Sequence, residues 1–566
     1  MCWHRRGRWN LARVFWVFAA FSILFFFTSP LSAQQSTQHA IDAGQIEKRI
    51  EKPESAPKME KPVAPVVRQR EKQPETKVKP FVLTAVNVDG ATVYPVSVFA
   101  PLYEEFIGRE IGSPEIEKIL ERITKKYTDD GYFLSLATAP AQNLTLGILN
   151  IDVTEGYIDR VTYKGAMPGR PALFESWADK IKQGGAPARL SAVERYILLM
   201  NDLPGVTATP NLDRKKGDTS GAYEMTINLA LDRMDGYSGL DNRGTHAVGP
   251  LEWSLSGGLN SAFGALERTR ISTFTIPDAP RELLYGELYE QVPVGSEGTQ
   301  VFASASRSSV DTFSQSRGSD LQSGTERYSM GFWHPLIRQR ALALYLNGRF
   351  DYTNSRQSAQ DDNYNDRLRV ARIGTRLWFK DEFGGATTVS GQYSRGLDIF
   401  GASPKGYSVS RTNGDSKFNK FTLDLDRTQH IAGQWWVELS GSGQYSKDTL
   451  LSAEEFGIGG SRFGRAYDPS EISDSRGVAG SVEVRRRTPL NNGMLANLWI
   501  YGFYDGGAVW RSGSPRDTLT SAGVGFRIFP FEGAKASLEV DKPLTRVVYE
   551  EGNKKPRLFF DLSINF

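Results

Sequence analysis

Arg557-Leu558-Phe559-Phe560-Asp561-Leu562-Ser563-Ile564-Asn565-Phe566 decides how the rest of the chain is read. Leu558, Phe560, Leu562, Ile564 and Phe566 share one parity, and Arg557, Phe559, Asp561, Ser563 and Asn565 the other. Side chains of a strand point alternately to its two faces, so this segment has one apolar and one mostly polar face. The alternation recurs upstream. Leu342, Leu344, Leu346, Phe350 and Tyr352 alternate with Tyr345, Asn347, Arg349 and Asp351. Phe421, Leu423 and Leu425 alternate with Thr422, Asp424 and Asp426, and Trp435, Val437 and Leu439 with Glu438 and Ser440. Residues 233–566 carry no convincing helical period, and Gly/Ser/Asn/Asp-rich turns separate the alternating segments. A soluble sandwich alternates too. Charges on the non-apolar face, where a water-filled lumen needs them, favour a transmembrane antiparallel β-barrel. So does a last strand ending on the aromatic Phe566, read here as an assembly signal.

Composition agrees with strands rather than helices in the membrane. The 566 residues are 40% hydrophobic, with 55 Gly, 22 Tyr and 31 Phe, and mean hydropathy is −0.38. Beyond the amino terminus no apolar run approaches the ~18–20 residues of a spanning helix. Arg5, Arg6, Arg8 and Arg13, the apolar run Val14–Phe27 and Leu31-Ser32-Ala33 read as a secretory signal over residues 1–33. Lys and Arg total 68 against 65 acids. Without the signal's four arginines the balance is 64 to 65, which argues against a nucleic-acid binder. The one cysteine, Cys2, lies in the signal, so disulfides, thiol catalysis and cysteine zinc sites are excluded downstream. The five histidines are scattered, and no His-Glu-x-x-His, Gly-x-Ser-x-Gly or Gly-x4-Gly-Lys-Ser/Thr motif occurs. No enzyme, cofactor or metal is expected.

Between signal and barrel lie two zones. Residues 34–80 hold no Phe, Trp or Tyr, six prolines, ten Lys/Arg and seven Asp/Glu, too little apolar surface to offset ordering. Within 34–52, Ile46 and Ile50 stand four apart after Asp42, which predicts a short amphipathic helix that needs a dock; 53–80 reads as a linker. Residues 81–155 and 156–232 read as two small α/β modules. The first has a strand at Phe81–Val88, a helix capped by Ser113-Pro114 with Ile116, Ile119, Leu120, Ile123 and Tyr127 on one face, and two further strands. The second repeats the pattern, with a capping box at Ser191 and Glu194.

The order of these parts resembles the outer-membrane transporters of two-partner secretion, the ShlB/FhaC/HecB-like haemolysin secretion/activation family. Four segments carry the resemblance. Ala43–Ile50 is similar to the family's plug helix, and Asn201-Asp202-Leu203-Pro204-Gly205-Val206 to the close of its second POTRA module. Phe456–Tyr467, with Ser473-Asp474-Ser475-Arg476-Gly477, resembles its long sixth extracellular loop with a Val-Arg-Gly-Tyr/Phe tip. Phe503-Tyr504-Asp505-Gly506-Gly507 matches its Phe-x-Asp-x-Gly barrel motif. At the tip, Arg465 and Tyr467 fit, whereas Gly464 replaces Val and Ala466 replaces Gly.

The resemblance implies about sixteen strands, and a loop at about 446–480 folded into the lumen. Parity agrees: Leu498 and Ile500 belong toward lipid, which turns Phe503, Asp505 and Gly507 inward. The implied partner of Asp505 is Arg465, in a pair that can be bidentate. It further implies export of a large protein, held by its amino-terminal secretion domain, with outer-membrane lipid, the barrel assembly machinery and periplasmic chaperones as other partners. An insertase of the same superfamily generally carries a longer POTRA array, and a passive porin lacks 81–232 altogether.

Overall fold

The computed structural model describes residues 66–67, 78–182, 187–215, 220–314, 319–358, 363–406, 408–490 and 497–566. The expected signal, the plug helix with Ile46 and Ile50, and most of the linker lie outside them. Of the linker, residues 78–80 are described, as is β1 (Val66–Val67), which pairs parallel with Asn211 and Leu212. There the linker is strand rather than coil.

The first α/β unit contains β2 (Phe81–Val82), β3 (Ala85–Asp89), β4 (Glu110–Ile111), α1 (Ser113–Asp129), β5 (Leu136–Thr138) and β6 (Ile148–Thr154). β2 pairs with β4, and the main sheet runs β3-β6-β5. The single strand expected over 81–88 is therefore two. Leu83 turns fully into the core and exchanges backbone bonds with Gly108 and Arg109, so the chain changes sheets there. α1 buries Ile116, Ile119, Ile123 and Tyr127, whose three- and four-residue spacing makes one face. Its cap is Gly112, one residue before the expected Ser113; Glu115 accepts from the Gly112 amide at 2.8 Å, and Ser113 Oγ accepts from Val78 N instead. Beneath the helix, burial pushes the Glu155 carboxyl up. Hydrogen bonds from Thr92, Val93 and Tyr127 outweigh that and leave it below its ordinary range.

The second unit holds β7 (Tyr157–Gly165), α2 (Pro171–Lys182), α3 (Leu190–Asn201), β8 (Val206–Arg214) and β9 (Ala222–Leu231), with sheet order β1-β8-β9-β7. Phe174, Trp177, Ile197, Met200, Met225 and Ile227 form its core, each large side chain contributing roughly 1.5–3 kcal/mol of burial. α3 begins after Arg189, which makes no side-chain cap. Ser191 lies inside the first turn, so the expected capping box does not form, and Glu194 meets Arg340 at 3.4 Å.

The barrel closes through sixteen antiparallel strands, as expected. They are β10 (Met234–Asp241), β11 (Glu252–Asn260), β12 (Arg268–Thr275), β13 (Leu283–Val294), β14 (Thr299–Ser314) and β15 (Ser319–Arg338). β16 (Leu342–Ser358), β17 (Tyr364–Lys380), β18 (Gly385–Gly396), β19 (Asn419–Ala432) and β20 (Trp435–Ser446) follow. Within loop 447–475, β21 (Phe456–Ile458) and β22 (Ile472–Asp474) pair only with each other. The wall resumes with β23 (Arg476–Pro489), β24 (Asn497–Trp510), β25 (Asp517–Phe529), β26 (Ala534–Pro543) and β27 (Arg557–Asn565). Outward parity is apolar and exposed, for example at Ile373, Leu423, Ile500, Val524 and Leu558. Inward parity is charged, as lipid on one side and water on the other require. No described helix is long and apolar enough to cross a membrane.

Candidate functional site: the loop folded into the barrel

Loop 447–475 folds inward, and its turns and packing hold it there. Tyr467 N donates to Gly464 O at 2.9 Å and Gly460 N to Tyr467 O at 3.1 Å, closing a tight turn around Arg465. Gly464 sits at φ +72°, and a Cβ there would lie 2.5 Å from Leu519, so this position needs glycine twice over. Ala466 has no positive φ and is fully buried. The glycine requirement of this tip is thus at 464 rather than 466. Ile458, Phe463, Ala466, Tyr467 and Ile472 pack against Ala479, Val509 and Leu519 of the wall. Gly507 permits that approach: a Cβ there would lie 2.3 Å from Val478 O and 2.7 Å from Ile458 Cδ1.

The turn carries Arg465 into a pocket of acids. Its Nη1 meets Glu483 at 2.9 Å and Glu539 at 3.5 Å, and its Nε meets Asp505 at 3.4 Å. Its backbone amide also donates to Asp505 Oδ2 at 3.3 Å, and Ser521 Oγ donates to the other carboxylate oxygen. The guanidinium lies 4.1 Å from the Phe503 ring centre. Arg465 and Asp505 are brought together, but not as a bidentate pair: the fork is shared among three carboxylates. Asp505 is 1% exposed, and such a charge is tolerated only where cations and donors surround it. Tyr467 Oη donates to Thr520 O and accepts from Arg546 N, both at 3.2 Å.

Sequence reasoning missed the rest of the loop's attachments. Arg462 reaches the opposite wall at Asp424 (3.0 Å) and Asp426 (3.4 Å). At the loop's base, Glu454 meets Arg372 at 2.5 Å and also Lys420, while Arg411 joins Glu455 and Asp474. Glu483 and Glu539 share inward parity with Ser481, Arg485 and Asp541, and that parity was the signal available for finding them. Beneath the tip lies a polar cavity of about 920 Å³, lined by Arg270, Arg327, Glu438, Arg485, Trp499 and Arg527 among others.

A second constellation joins the second POTRA unit to the barrel. Asp202 receives Arg338 Nε at 2.8 Å and Nη2 at 2.7 Å, both residues almost fully buried. Asn201 ties α3 to β8 through Ile197 O and both backbone groups of Ala208, and Leu203 sits in the core. Pro204 precedes Gly205, which adopts φ +67° where a Cβ would strike Asp232 O at 2.1 Å. Trp177 Nε1 donates to Ser296 O at 2.7 Å, Arg170 to Pro293 O at 2.6 Å, and Lys180 and Arg195 both reach Glu297. Phe566 exchanges backbone bonds with Gly236 of β10, at 2.7 and 3.0 Å.

Comparison with known proteins agrees with this architecture. Residues 81–156 match the POTRA domain of ShlB type. The chain is 23% identical over 418 residues to the outer membrane transporter CdiB of Escherichia coli O6:K15:H31 (strain 536 / UPEC), covering 70% of this chain and 67% of that one. It is 20% identical over 533 residues to the heme/hemopexin transporter protein HuxB of Haemophilus influenzae (strain 86-028NP), covering 89% and 91%. The solved structure of CdiB from Escherichia coli superposes with a TM-score of 0.70 at 19% identity, over 95% of this chain and all of that one. BamA from Haemophilus ducreyi, lacking POTRA domains 1–3, gives 0.53 at 13% identity, over 86% and 100%, a likeness of fold alone. Residues 228–528, more than half the chain, match the haemolysin secretion/activation protein ShlB/FhaC/HecB. The chain belongs to that family, the outer-membrane transporters of two-partner secretion.

Proposed function

We propose that the POTRA units capture the amino-terminal secretion domain of one large secreted protein and pass it, extended, through the barrel to the cell surface. Among the described residues β5 and β7 are edge strands of their sheets, and strand addition supplies affinity through backbone bonds without demanding particular side chains. The cavity under the loop tip supports a route through the lumen, widened when the loop and the plug segment shift. No nucleotide enters; folding of the cargo outside supplies direction. Arg465 and Asp505 act here as the catch that sets the loop's resting position. The observation that carries this reading is Arg465, its side chain largely out of water, held by three wall carboxylates.

Arg465→Ala and Asp505→Ala should each abolish export of the partner protein while the barrel remains inserted and heat-modifiable. Normal export from both variants would overturn the catch.

A further inference from the structure

The ladder between the first and last barrel strands is the shortest of the sixteen. Tyr237–Asp241 pair with Asn565–Asp561, five residues a side, extended only by the Gly236–Phe566 exchange, whereas β14 and β15 pair over fifteen. Something other than backbone must hold the outer half of this seam. Asn242 supplies part of it: its amide donates to Leu558 O at 3.0 Å and accepts from Phe560 N at 2.7 Å, imitating one further ladder pair.

Two arginines supply the rest, one from each side. Arg243, two residues beyond β10, donates from Nη1 to Arg465 O at 3.1 Å. Arg557, the first residue of β27, donates from Nη1 to Ala466 O, also at 3.1 Å. The acceptors are consecutive carbonyls of the loop tip. Both guanidiniums stack on Phe559, at 4.3 and 5.1 Å from its ring centre. Their remaining arms are fixed as well, Arg243 to Glu539 at 2.6 Å and Arg557 to Asp468 at 2.7 Å.

We infer that the loop tip is a staple across the β10–β27 seam, with Arg243 and Arg557 as its two positioning residues. The two carbonyls flank the peptide at which Arg465 enters its acid pocket. Any movement that withdraws Arg465 therefore removes both acceptors at once, and the strands lose their internal bridge as the lumen clears. Loop position and seam tightness are one variable. The inference leans on the channel reading only for what a looser seam would serve; the staple itself is read without cargo.

The test is amide hydrogen exchange on the full-length protein in lipid nanodiscs, following residues 237–241 and 561–565. Arg243→Gln with Arg557→Gln should speed exchange at these amides by about tenfold or more, with β14 and β15 unchanged. Asp505→Asn, which loosens the tip without touching either arginine, should do the same. Unchanged seam exchange in either variant, or equal acceleration in every strand, would overturn the staple. Should the double variant fail to assemble, Arg243→Met alone, which donates to neither Arg465 O nor Glu539, should speed exchange at 237–241. A null result there counts against the staple equally. Ser238→Cys with Ile564→Cys, register partners across the seam, should return it to the native rate in the Asp505→Asn background once oxidised. Persistent fast exchange there would also overturn the inference.

Discussion

Arg338, at the joint between the second POTRA unit and the barrel, gives both arms of its fork to one carboxylate, whereas Arg465 divides its fork among three. Both sit where water is largely excluded. The joint is a matched pair, fixed in plane and direction by two parallel hydrogen bonds. The loop tip is a shared cluster, in which Glu483 also takes Arg527 and Glu539 also takes Arg243. Removing one member of a matched pair takes away both of its parallel bonds at once. In a shared cluster the remaining charges can regroup. One geometry suits a fixture and the other a catch that must release.

That contrast can be broken most sharply at the joint. Asp202→Ala leaves Arg338 buried without its carboxylate, and should cost the joint about 3–5 kcal/mol. Limited proteolysis should then free the POTRA units from an intact barrel, and Asp202→Ala with Arg338→Met should recover much of the loss. If Asp202→Ala alone leaves the joint resistant, the pair is not what holds it. A smaller effect is expected at the tip, where Gly464→Ala must bear a left-handed backbone and the Leu519 contact, costing about 1–2 kcal/mol. Thermal unfolding should show it, and Ala466→Gly should show almost nothing; equal effects would place the glycine requirement elsewhere.

The smallest effect is expected far from both, at Glu155. Its folded carboxyl titrates below the ordinary 4.5, so its contribution is present above that value and is lost as pH falls through the lower folded one. In Glu155→Gln the first POTRA unit should lose less stability than the native protein as pH falls below 4.5, followed by near-ultraviolet circular dichroism. An unaltered pH profile would remove Glu155 from the account.

What the sequence disclosed followed from period and parity. Trp499, Tyr501, Phe503 and Asp505 line the lumen because Leu498 and Ile500 face lipid, and that inference needs only the two-residue repeat. Arg465 and Asp505 could be paired through the family's motifs. Glu539, 74 residues along the chain from Arg465, could not, because which strands adjoin across a lumen depends on the register of every ladder between them. Asp202 showed the same limit: as a helix-end residue it is ordinary, and its partner Arg338 belongs to another unit. Local rules also failed locally. Ser191 had its Glu three residues on, yet the N-cap position of α3 falls two residues earlier, at Arg189, and Glu194 turns to Arg340 instead.

The joint has a mechanical consequence. The second POTRA unit reaches the barrel covalently through Asp232 and Arg233, which feed directly into β10, a strand of the shortest ladder. It is also clamped at the turn between β13 and β14 by Trp177, Lys180 and Arg195, and at the end of β15 by Asp202. These clamps run in parallel with the covalent link. The β11–β12 turn adds a further hold, where Leu266 enters the unit's core and Ser261 Oγ donates to Pro168 O, so a pull on the POTRA units is divided among several turns of the ring rather than delivered to β10 alone.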